Sequence, residues 1–214
     1  MVLDRFSLQG KVAIVTGCNT GLGQGMARAL AQAGADVVGV NMTAPQETER
    51  QVTESGRRFL DVRADLADSH CIEPVLRQAL AWGGHVDILV NNAGIIRRDD
   101  AIRFSEKDWD DVLNVNLKSV FFFSQAVARQ FLAQGGGGKI INVASMLSFQ
   151  GGIRVPSYTA SKSAVVGITR LMANEWAAHG INVNAIAPGY MATNNTAPLR
   201  ADADVLGLLR RQFR

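Results

Sequence analysis

The sequence predicts an α/β protein built around a doubly wound parallel sheet. Three observations lead to this fold class: short β-branched segments alternate with longer helical ones, the strand segments are apolar on both faces, and 47% of the 214 residues are hydrophobic. Strands that are apolar on both faces are typical of parallel sheets with helices on either side. The apolar fraction excludes a disordered chain. The length favours a single domain over residues 1–214.

The alternation of elements is regular along most of the chain. Strands are predicted at 11–16, 35–41, 56–64, 86–92, 139–145 and 181–188. Helices are predicted at about 22–33, 68–82, 105–132 and 158–178, and Gly34, Gly135 and Gly180 stand where three of them end. Because no repeat or linker interrupts this order, we expect one Rossmann-type three-layer sandwich.

Composition excludes several classes of function. The net charge is +3, and the basic residues are scattered without interleaved aromatics, so we expect no nucleic-acid partner. Cys18 and Cys71 form no CxxC motif and the three histidines form no metal-binding pattern, so we expect no metal. There is no signal-peptide pattern or membrane-length apolar run, and we therefore expect a cytoplasmic protein with reduced thiols and no membrane association.

A glycine-rich turn follows the first predicted strand. Gly17, Gly21 and Gly23 form a GxxxGxG pattern that leads directly into the first predicted helix. Glycines permit close approach of a ligand to the backbone, and the N-terminus of a helix offers free N–H groups and a positive dipole end. A glycine-rich turn alone is common structural punctuation, but this strand–turn–helix context favours binding of a dinucleotide pyrophosphate.

Tyr158 and Lys162 form the clearest candidate for proton transfer. They are four residues apart, so on a helix both side chains project from one face. The free phenol has a pKa near ~10, and a nearby ammonium lowers that value and favours the phenolate. An exposed helical pair is the alternative reading.

These motifs together resemble the short-chain dehydrogenase/reductase family. The GxxxGxG turn, the segment Asn91-Asn92-Ala93-Gly94 after the fourth strand and Tyr158-x-x-x-Lys162 occur in the family's order, and the resemblance runs from about Phe6 to Thr196. Several motifs in the right order are far more specific than any one alone. The resemblance implies a nicotinamide-dependent oxidoreductase, in which the cofactor carries the hydride and the protein handles the proton.

The resemblance also implies four catalytic residues. Tyr158 matches the general acid/base, and Lys162 matches the lysine that assists it and binds the nicotinamide ribose. Ser145 matches the serine that hydrogen-bonds the reacting oxygen, although a serine at a strand end is otherwise usually a cap. Asn116 matches a helix asparagine that holds a water linking Lys162 to solvent.

The cofactor-binding residues are implied in the same way. They are Gly17, Asn19, Thr20, Gly21, Leu22, Gly23, Asn41, Asp65, Leu66, Asn92, Ala93, Gly94, Tyr158, Lys162, Pro188, Gly189, Met191 and Thr193. Asp65 and Leu66 match a pair that contacts adenine, and Asp65 also reads as a helix cap. Pro188-Gly189 and Thr193 match the segment that meets the nicotinamide amide.

The choice of dinucleotide depends on the end of the second strand. An acidic residue there commonly binds the ribose hydroxyls and repels a 2′-phosphate, but this chain has Asn41. NADP-preferring relatives place Arg or Lys at positions that are Met42 and Thr20 here. With neither an acid nor a base, we expect NAD in preference to NADP.

The substrate-facing segments resemble the bacterial 2-dehydro-3-deoxy-D-gluconate 5-dehydrogenase (2-deoxy-D-gluconate 3-dehydrogenase) branch of the family. The similarity covers the segments 91–112, 144–162 and 187–195 and implies a sugar-acid substrate. Gln150 and Arg154, together with Ser145 and Tyr158, are the expected substrate contacts, because a bidentate Arg–carboxylate pair suits such a substrate. Arg97 and Arg98 are further candidates. Each arginine also reads as a solvated surface residue.

After Thr196 the sequence departs from the family's usual continuation. We therefore expect a sheet that lacks the family's seventh strand, with the sixth strand as an apolar edge. The resemblance implies a homo-oligomer, by family a tetramer, through the helices near 105–132 and 158–178. Two alternative functions stay open: an NADPH-dependent 3-oxoacyl reductase, and a catalytically silent dinucleotide-binding protein.

Overall fold

Six parallel strands form one sheet in the part of the chain that the computed structural model describes, which is residues 2–193, Thr196 and Ala201. The strands are β1 Val12–Thr16, β2 Asp36–Asn41, β3 Phe59–Arg63, β4 Ile88–Asn91, β5 Gly138–Val143 and β6 Ile181–Ile186. Their order in the sheet is β3-β2-β1-β4-β5-β6, and every neighbouring pair is parallel. The predicted doubly wound parallel sheet is confirmed.

Helices connect these strands. They are α1 Gly21–Gln32, α2 Gln46–Glu54, α3 Ile72–Gly83, α4 Glu106–Leu113, α5 Ser119–Gln134, α6 Leu147–Gln150 and α7 Pro156–Trp176. Short 3-10 turns occupy Val2–Phe6, Ser69–Cys71, Ala101–Arg103 and Ala177–His179. The sequence did not predict α2 and α6. In α2 only Thr48 and Val52 are buried, and this i, i+4 pair is too weak a hydrophobic pattern to predict a helix.

The helical region predicted at 105–132 is divided by a wider turn. Residues Asn114–Lys118 form one π-helical turn between α4 and α5. Ser105 begins α4 by accepting a hydrogen bond from the Asp108 N–H, and Gly135, with φ +75°, ends α5 in the left-handed conformation. The inserted turn matters because it carries Asn116 fully into the interior.

The core lies on both faces of the sheet, as expected for strands that are apolar on either side. In β1, Val12 and Ile14 belong to the cluster covered by α3, α5 and α7. Ala13 and Val15 belong to the cluster covered by α1 and α2. Because side chains alternate along a strand, each strand contributes to both clusters and holds the two helical layers in register.

The chain reverses its direction of travel across the sheet between β1 and β4. In open α/β sheets, ligands bind in the crevice outside the carboxyl ends of the strands at such a switch point. β6 lies at one edge of the described sheet, and Ile186 there is 43% exposed. Residues 197–200 and 202–214, where the sequence predicts a departure from the family and a missing seventh strand, lie outside the described residues. No helix among the residues described is both long and apolar enough to cross a membrane.

Candidate active site

The glycine-rich turn at the end of β1 is packed too closely for side chains. A Cβ at Gly23 would lie 2.2 Å from the main-chain oxygen of Gly17 and 2.4 Å from Asn92 Nδ2. Gly17 and Gly21 have φ of +62° and +59°, a region that favours glycine. Thr20 precedes α1 in an extended conformation and its side chain does not cap the helix. The first N–H groups of α1 are therefore available to an anion.

Thr16 ties this turn to the segment that follows β4. Its hydroxyl accepts hydrogen bonds from the N–H groups of Asn92, at 3.0 Å, and Ala93, at 2.9 Å. Asn92 Nδ2 donates to the main-chain oxygens of Thr16 and Gly17, both at 2.9 Å. The predicted cofactor residues Asn92 and Ala93 thus support the glycine turn. Thr16 was not among the predicted cofactor-binding residues, although its position at the end of the first predicted strand is visible in the sequence.

The end of β2 forms the far side of the crevice. Asn41 is 3% exposed and its Nδ2 donates to Cys18 Sγ at 3.4 Å. Asn19 Nδ2 donates to Thr43 Oγ1 at 2.8 Å, which links the glycine turn to the segment after β2. Leu22 is half-buried in the first turn of α1.

The predicted adenine-contacting pair lies after β3. Asp65 Oδ1 accepts a hydrogen bond from the Ala67 N–H at 2.9 Å, so this carboxylate stabilises a turn. Leu66 is buried in the core cluster on the α3 side. The helix cap proposed as the alternative role of Asp65 is wrong, because Asp68 caps the following 3-10 turn and Asp65 stabilises the turn before it.

Tyr158 and Lys162 lie on one face of α7, as their spacing predicts. Ser145, which follows β5, faces Tyr158 closely enough to lower the pKa of its hydroxyl. Ser145 Oγ also accepts a hydrogen bond from the Leu147 N–H at 3.1 Å. Lys162 is buried, and its Nζ donates to the main-chain oxygen of Val143 at 2.6 Å. Three of the predicted catalytic residues therefore meet at the carboxyl end of β5.

The ionisation of this group differs from the sequence-based expectation. Burial lowers the pKa of Lys162 to about 8. Burial also raises the pKa of Tyr158 above its ordinary value, and the Ser145 side chain and the charge of Arg98 only partly oppose that rise. The expectation of a lowered phenol pKa is therefore wrong for the protein alone. Removal of the hydroxyl from water outweighs the nearby positive charges.

Asn116 is brought to the same region by the π-helical turn. Its Oδ1 accepts a hydrogen bond from the Ile95 N–H at 2.8 Å, and its Nδ2 donates to the Ile95 main-chain oxygen at 2.9 Å. The amide nitrogen also lies 3.3 Å from Ser161 Oγ on α7. A Cβ at Gly94 would lie 3.2 Å from Asn116 Oδ1. Asn116 thus holds the segment after β4 against the catalytic helix.

The predicted substrate-facing arginines have different surroundings. Arg154, at φ +61°, points its Nε at Asp100 Oδ1, 3.0 Å away, and its side chain is 57% exposed. Arg97 pairs with Asp108 at 3.3 Å. Arg98 is half-buried, and its charge acts on Tyr158. Gln150 is exposed at the end of α6. Of these side chains, Arg98 is the one whose charge affects the pKa of Tyr158.

A segment after β6 completes the site. The Met146 N–H donates to the Pro188 main-chain oxygen at 3.1 Å, so this segment runs beside Ser145. A Cβ at Gly21 would lie 3.5 Å from Thr193 Cγ2, which places Thr193 next to the glycine turn. Gly189 and Met191 lie between, and Met191 is 51% exposed. The segment therefore spans from the glycine turn to the catalytic side chains.

Tyr190, within this segment, was not anticipated. Burial raises its pKa, and Tyr158 adds to the rise, so the two phenols interact electrostatically. No signal in the sequence distinguishes Tyr190, since a single aromatic residue after Pro-Gly carries no pattern of its own.

Comparisons with known proteins find a matching family model and similar chains. A family model described as short chain dehydrogenase matches residues 11–204. The chain is 72% identical over 202 residues to the 2-dehydro-3-deoxy-D-gluconate 5-dehydrogenase of Escherichia coli K12, covering 94% of this chain and 80% of that protein.

Two solved structures are also similar. One, from Agrobacterium tumefaciens, is assigned as a 2-deoxy-D-gluconate 3-dehydrogenase with bound NADP; it has 54% identity, a TM-score of 0.87 and coverage of 95% of this chain and 81% of its own. The other, from Beutenbergia cavernae, is assigned as an NAD(P)-dependent gluconate 5-dehydrogenase with NADP at low occupancy. It has 45% identity, a TM-score of 0.89 and coverage of 95% and 82%.

Proposed function

Because the chain belongs to the short-chain dehydrogenase family, we propose that this oxidoreductase interconverts a secondary alcohol and a ketone of a deoxy sugar acid. The proposed substrate is of the 2-dehydro-3-deoxy-D-gluconate or 2-deoxy-D-gluconate type. The proximity of Ser145 to Tyr158, with the buried Lys162 amine 5.7 Å from the Tyr158 ring centre and bound to the end of β5, supports the proposal. The activities assigned to the similar proteins support the substrate class.

The glycine turn fits a nicotinamide dinucleotide. The space at Gly23 that a Cβ would fill, and the uncapped start of α1, suit a pyrophosphate lying against the backbone. The segment at Pro188–Thr193 would hold the nicotinamide end, and Asn41 the adenosine ribose. When bound, the nicotinamide ring supplies or accepts the hydride.

The chain's own groups handle the proton. A substrate hydroxyl placed against Ser145 Oγ and the Tyr158 hydroxyl gives its proton to Tyr158 during oxidation. During reduction Tyr158 returns that proton to the substrate oxygen, and Ser145 stabilises the charge that develops there. The Lys162 ammonium, buried beside the ring, favours the phenolate that oxidation requires. Asn116 fixes the segment after β4 against α7, and this keeps the tyrosine and lysine in place.

We assign recognition of the substrate carboxylate first to Arg98. It is half-buried beside Tyr158, and a guanidinium in a water-poor site binds a carboxylate more strongly than one at the surface. Arg154 stays a second candidate. Its pairing with Asp99 and Asp100 is exposed, and an exposed pair of this kind can exchange for a substrate carboxylate at little cost.

We further propose that NAD is preferred over NADP while both bind. Asn41 hydrogen-bonds ribose hydroxyls without the repulsion that a carboxylate would exert on a 2′-phosphate. The two similar structures with bound NADP are consistent with a site that accepts the phosphate.

We also propose that the chain forms a homo-oligomer through the face made by α4, α5 and α7. An apolar groove of about 460 Å³ on this face is lined mainly by Leu113, Leu117, Phe121, Phe122 and Ile168. Phe122 is 41% exposed there, and exposed apolar grooves of this kind commonly mark subunit contacts. The occupant we propose is the same face of a second copy, as in an isologous dimer.

The enzyme assay follows nicotinamide absorbance with purified protein, NAD and 2-deoxy-D-gluconate. We expect substrate-dependent reduction of NAD, with slower turnover when NADP replaces it. A chain that binds NAD in calorimetry but shows no turnover would instead be a silent dinucleotide-binding protein. Turnover with NADPH and a 3-oxoacyl thioester, but none with the sugar acid, would favour the acyl reductase alternative. Sedimentation velocity on the same sample tests for the dimer.

A further inference from the structure

Asp61 and Arg63 of β3 project toward the same side of the sheet as Asn41. In the parallel pair of β2 and β3, Gly39 is in register with Asp61, and Asn41 with Arg63. Phe59 faces the glycine-turn side of the sheet, because a Cβ at Gly39 would lie 2.5 Å from Phe59 Cζ and 2.7 Å from Cys18 Sγ. Alternate residues of a strand share a face, so Asp61 and Arg63 follow Phe59 on that side.

These two side chains form an ion pair at the carboxyl end of the sheet. Arg63 Nε lies 2.7 Å from Asp61 Oδ2, and the side chains are 47% and 26% exposed, respectively. Burial raises the pKa of Cys18 to about 11 and the Asp61 charge contributes to the rise, so Asp61 lies within electrostatic reach of the glycine turn. A charged pair therefore flanks the place where the adenosine ribose meets β2.

Two acceptor atoms beside this pair have no protein partner. Asn41 Oδ1 and Asp61 Oδ1 are both buried, and neither has a hydrogen-bond partner among the described residues. A buried acceptor without a partner costs about 1–3 kcal/mol, so such atoms commonly indicate a ligand or ordered water. The hydroxyls of a ribose are donors of the kind that these oxygens need.

We propose that Arg63 binds the 2′-phosphate of NADP and that Asp61 limits this binding by neutralising the guanidinium. The inference rests on the proposed function, which places the adenosine ribose over the end of β2. Neighbouring strands are about 4.8 Å apart, and an arginine side chain on the adjacent strand can span that distance. Arg63 thus supplies the cation that is absent from positions 20 and 42.

The ion pair explains how one site holds both dinucleotides. With NAD bound, Arg63 stays paired with Asp61 and the ribose hydroxyls face Asn41. With NADP bound, the guanidinium turns to the phosphate, and the Asp61 carboxylate loses its partner and lies close to a second anion. The phosphate contact therefore stabilises NADP binding by less than an unpaired arginine would, which limits how far Arg63 can favour NADP over NAD.

The test measures binding of adenosine 2′,5′-bisphosphate and 5′-AMP by calorimetry, which needs no turnover. We expect R63Q to weaken bisphosphate binding about tenfold, the equivalent of about 1.4 kcal/mol, while 5′-AMP binding changes less than about twofold. D61N is expected to tighten bisphosphate binding about threefold. R50Q is the control, since Arg50 carries the same charge on exposed α2 and pairs with Glu47 and Glu54.

Each outcome decides the inference. The inference is overturned if R63Q changes bisphosphate binding no more than R50Q does, because Arg63 would then contribute only its general charge. It is also overturned if R63Q weakens the binding of both nucleotides equally, because Arg63 would then act only through the structure. Weaker bisphosphate binding by D61N would overturn the limiting role of Asp61. If the folded wild-type protein binds neither nucleotide, the inference falls together with the dinucleotide function. If 5′-AMP binds normally, only the role of Arg63 is at stake.

Discussion

Lys162 Nζ lies 5.7 Å from the centre of the Tyr158 ring. The ammonium donates instead to the main-chain oxygen of Val143, 2.6 Å away. The main chain at the end of β5 therefore holds the lysine over the face of the phenol ring. Lys162 and Tyr158 are both largely removed from water, so the charged form of each is disfavoured. This desolvation affects the stability of the fold and the titration of the phenol, and both can be measured.

Replacing Lys162 by methionine is expected to stabilise the fold at pH 7. The fall of the lysine pKa from 10.5 to about 8 means that burying the ammonium costs the wild-type fold roughly 3 kcal/mol. K162M avoids this cost but loses the hydrogen bond to Val143, which is worth about 1 kcal/mol. The free energy of unfolding of K162M, measured by urea titration, should therefore be about 2 kcal/mol higher than that of the wild type. Its turnover should be lost.

The extra stability of K162M should depend on pH, because Lys162 has different pKa values in the folded and unfolded wild-type chains. Below pH 8 the folded and unfolded wild-type chains both hold the Lys162 proton, and the burial cost is fully present. Between about pH 8 and 10.5 the unfolded chain binds more protons, so wild-type stability rises with pH. The advantage of K162M should shrink across this window. A variant less stable than the wild type at pH 7 would contradict the assignment of a costly buried ammonium.

The protein without dinucleotide should contain no tyrosinate at neutral pH. It has two tyrosines, and burial raises the pKa of both Tyr158 and Tyr190. A spectrophotometric titration of the free protein should therefore show phenol ionisation only above pH 10. A step near pH 7 or 8 that disappears in Y158F would show that the lysine dominates over burial.

Gly23→Ala is expected to weaken dinucleotide binding and the fold together. The new Cβ would lie 2.2 Å from the Gly17 main-chain oxygen, and such overpacking against backbone costs about 1–3 kcal/mol. Gly25 lies two residues further along α1, and a Cβ added there would have no atom within 4 Å. G25A should instead stabilise the helix by about 0.5–1 kcal/mol. Equal melting temperatures for the two variants would contradict the close packing of the turn.

Arg98→Gln and Arg154→Gln separate the two candidates for the carboxylate. R98Q should raise the KM for the sugar acid about tenfold or more, because a half-buried charged contact is lost. R154Q should have a smaller effect, since Arg154 is exposed and already paired with Asp100. The reverse order would return the main role to Arg154. An unchanged KM in R154Q would remove it from the site.

Local patterns made much of the fold and site predictable. The glycines of the first turn and the Tyr158–Lys162 spacing are short-range signals, because steric exclusion and helical periodicity act within a few residues. The predicted family and parallel sheet are confirmed, while the individual site roles stay predictions.

Tertiary contacts decided the rest. The π-helical turn that buries Asn116, the polar helix α2 and the ion pair of Arg154 all depend on residues distant in sequence. The rise in the Tyr158 pKa depends on how deeply the fold buries one hydroxyl, which residue spacing does not reveal.

The role of the Tyr158 hydroxyl in proton transfer can be measured in Y158F, with NAD binding followed by calorimetry and hydride transfer by nicotinamide absorbance on the same sample. We expect kcat to fall about 10²- to 10⁴-fold, the usual contribution of a general acid/base, with NAD affinity changed less than about twofold. A variant that keeps near-wild-type turnover with 2-deoxy-D-gluconate would contradict the assignment of proton transfer to this hydroxyl.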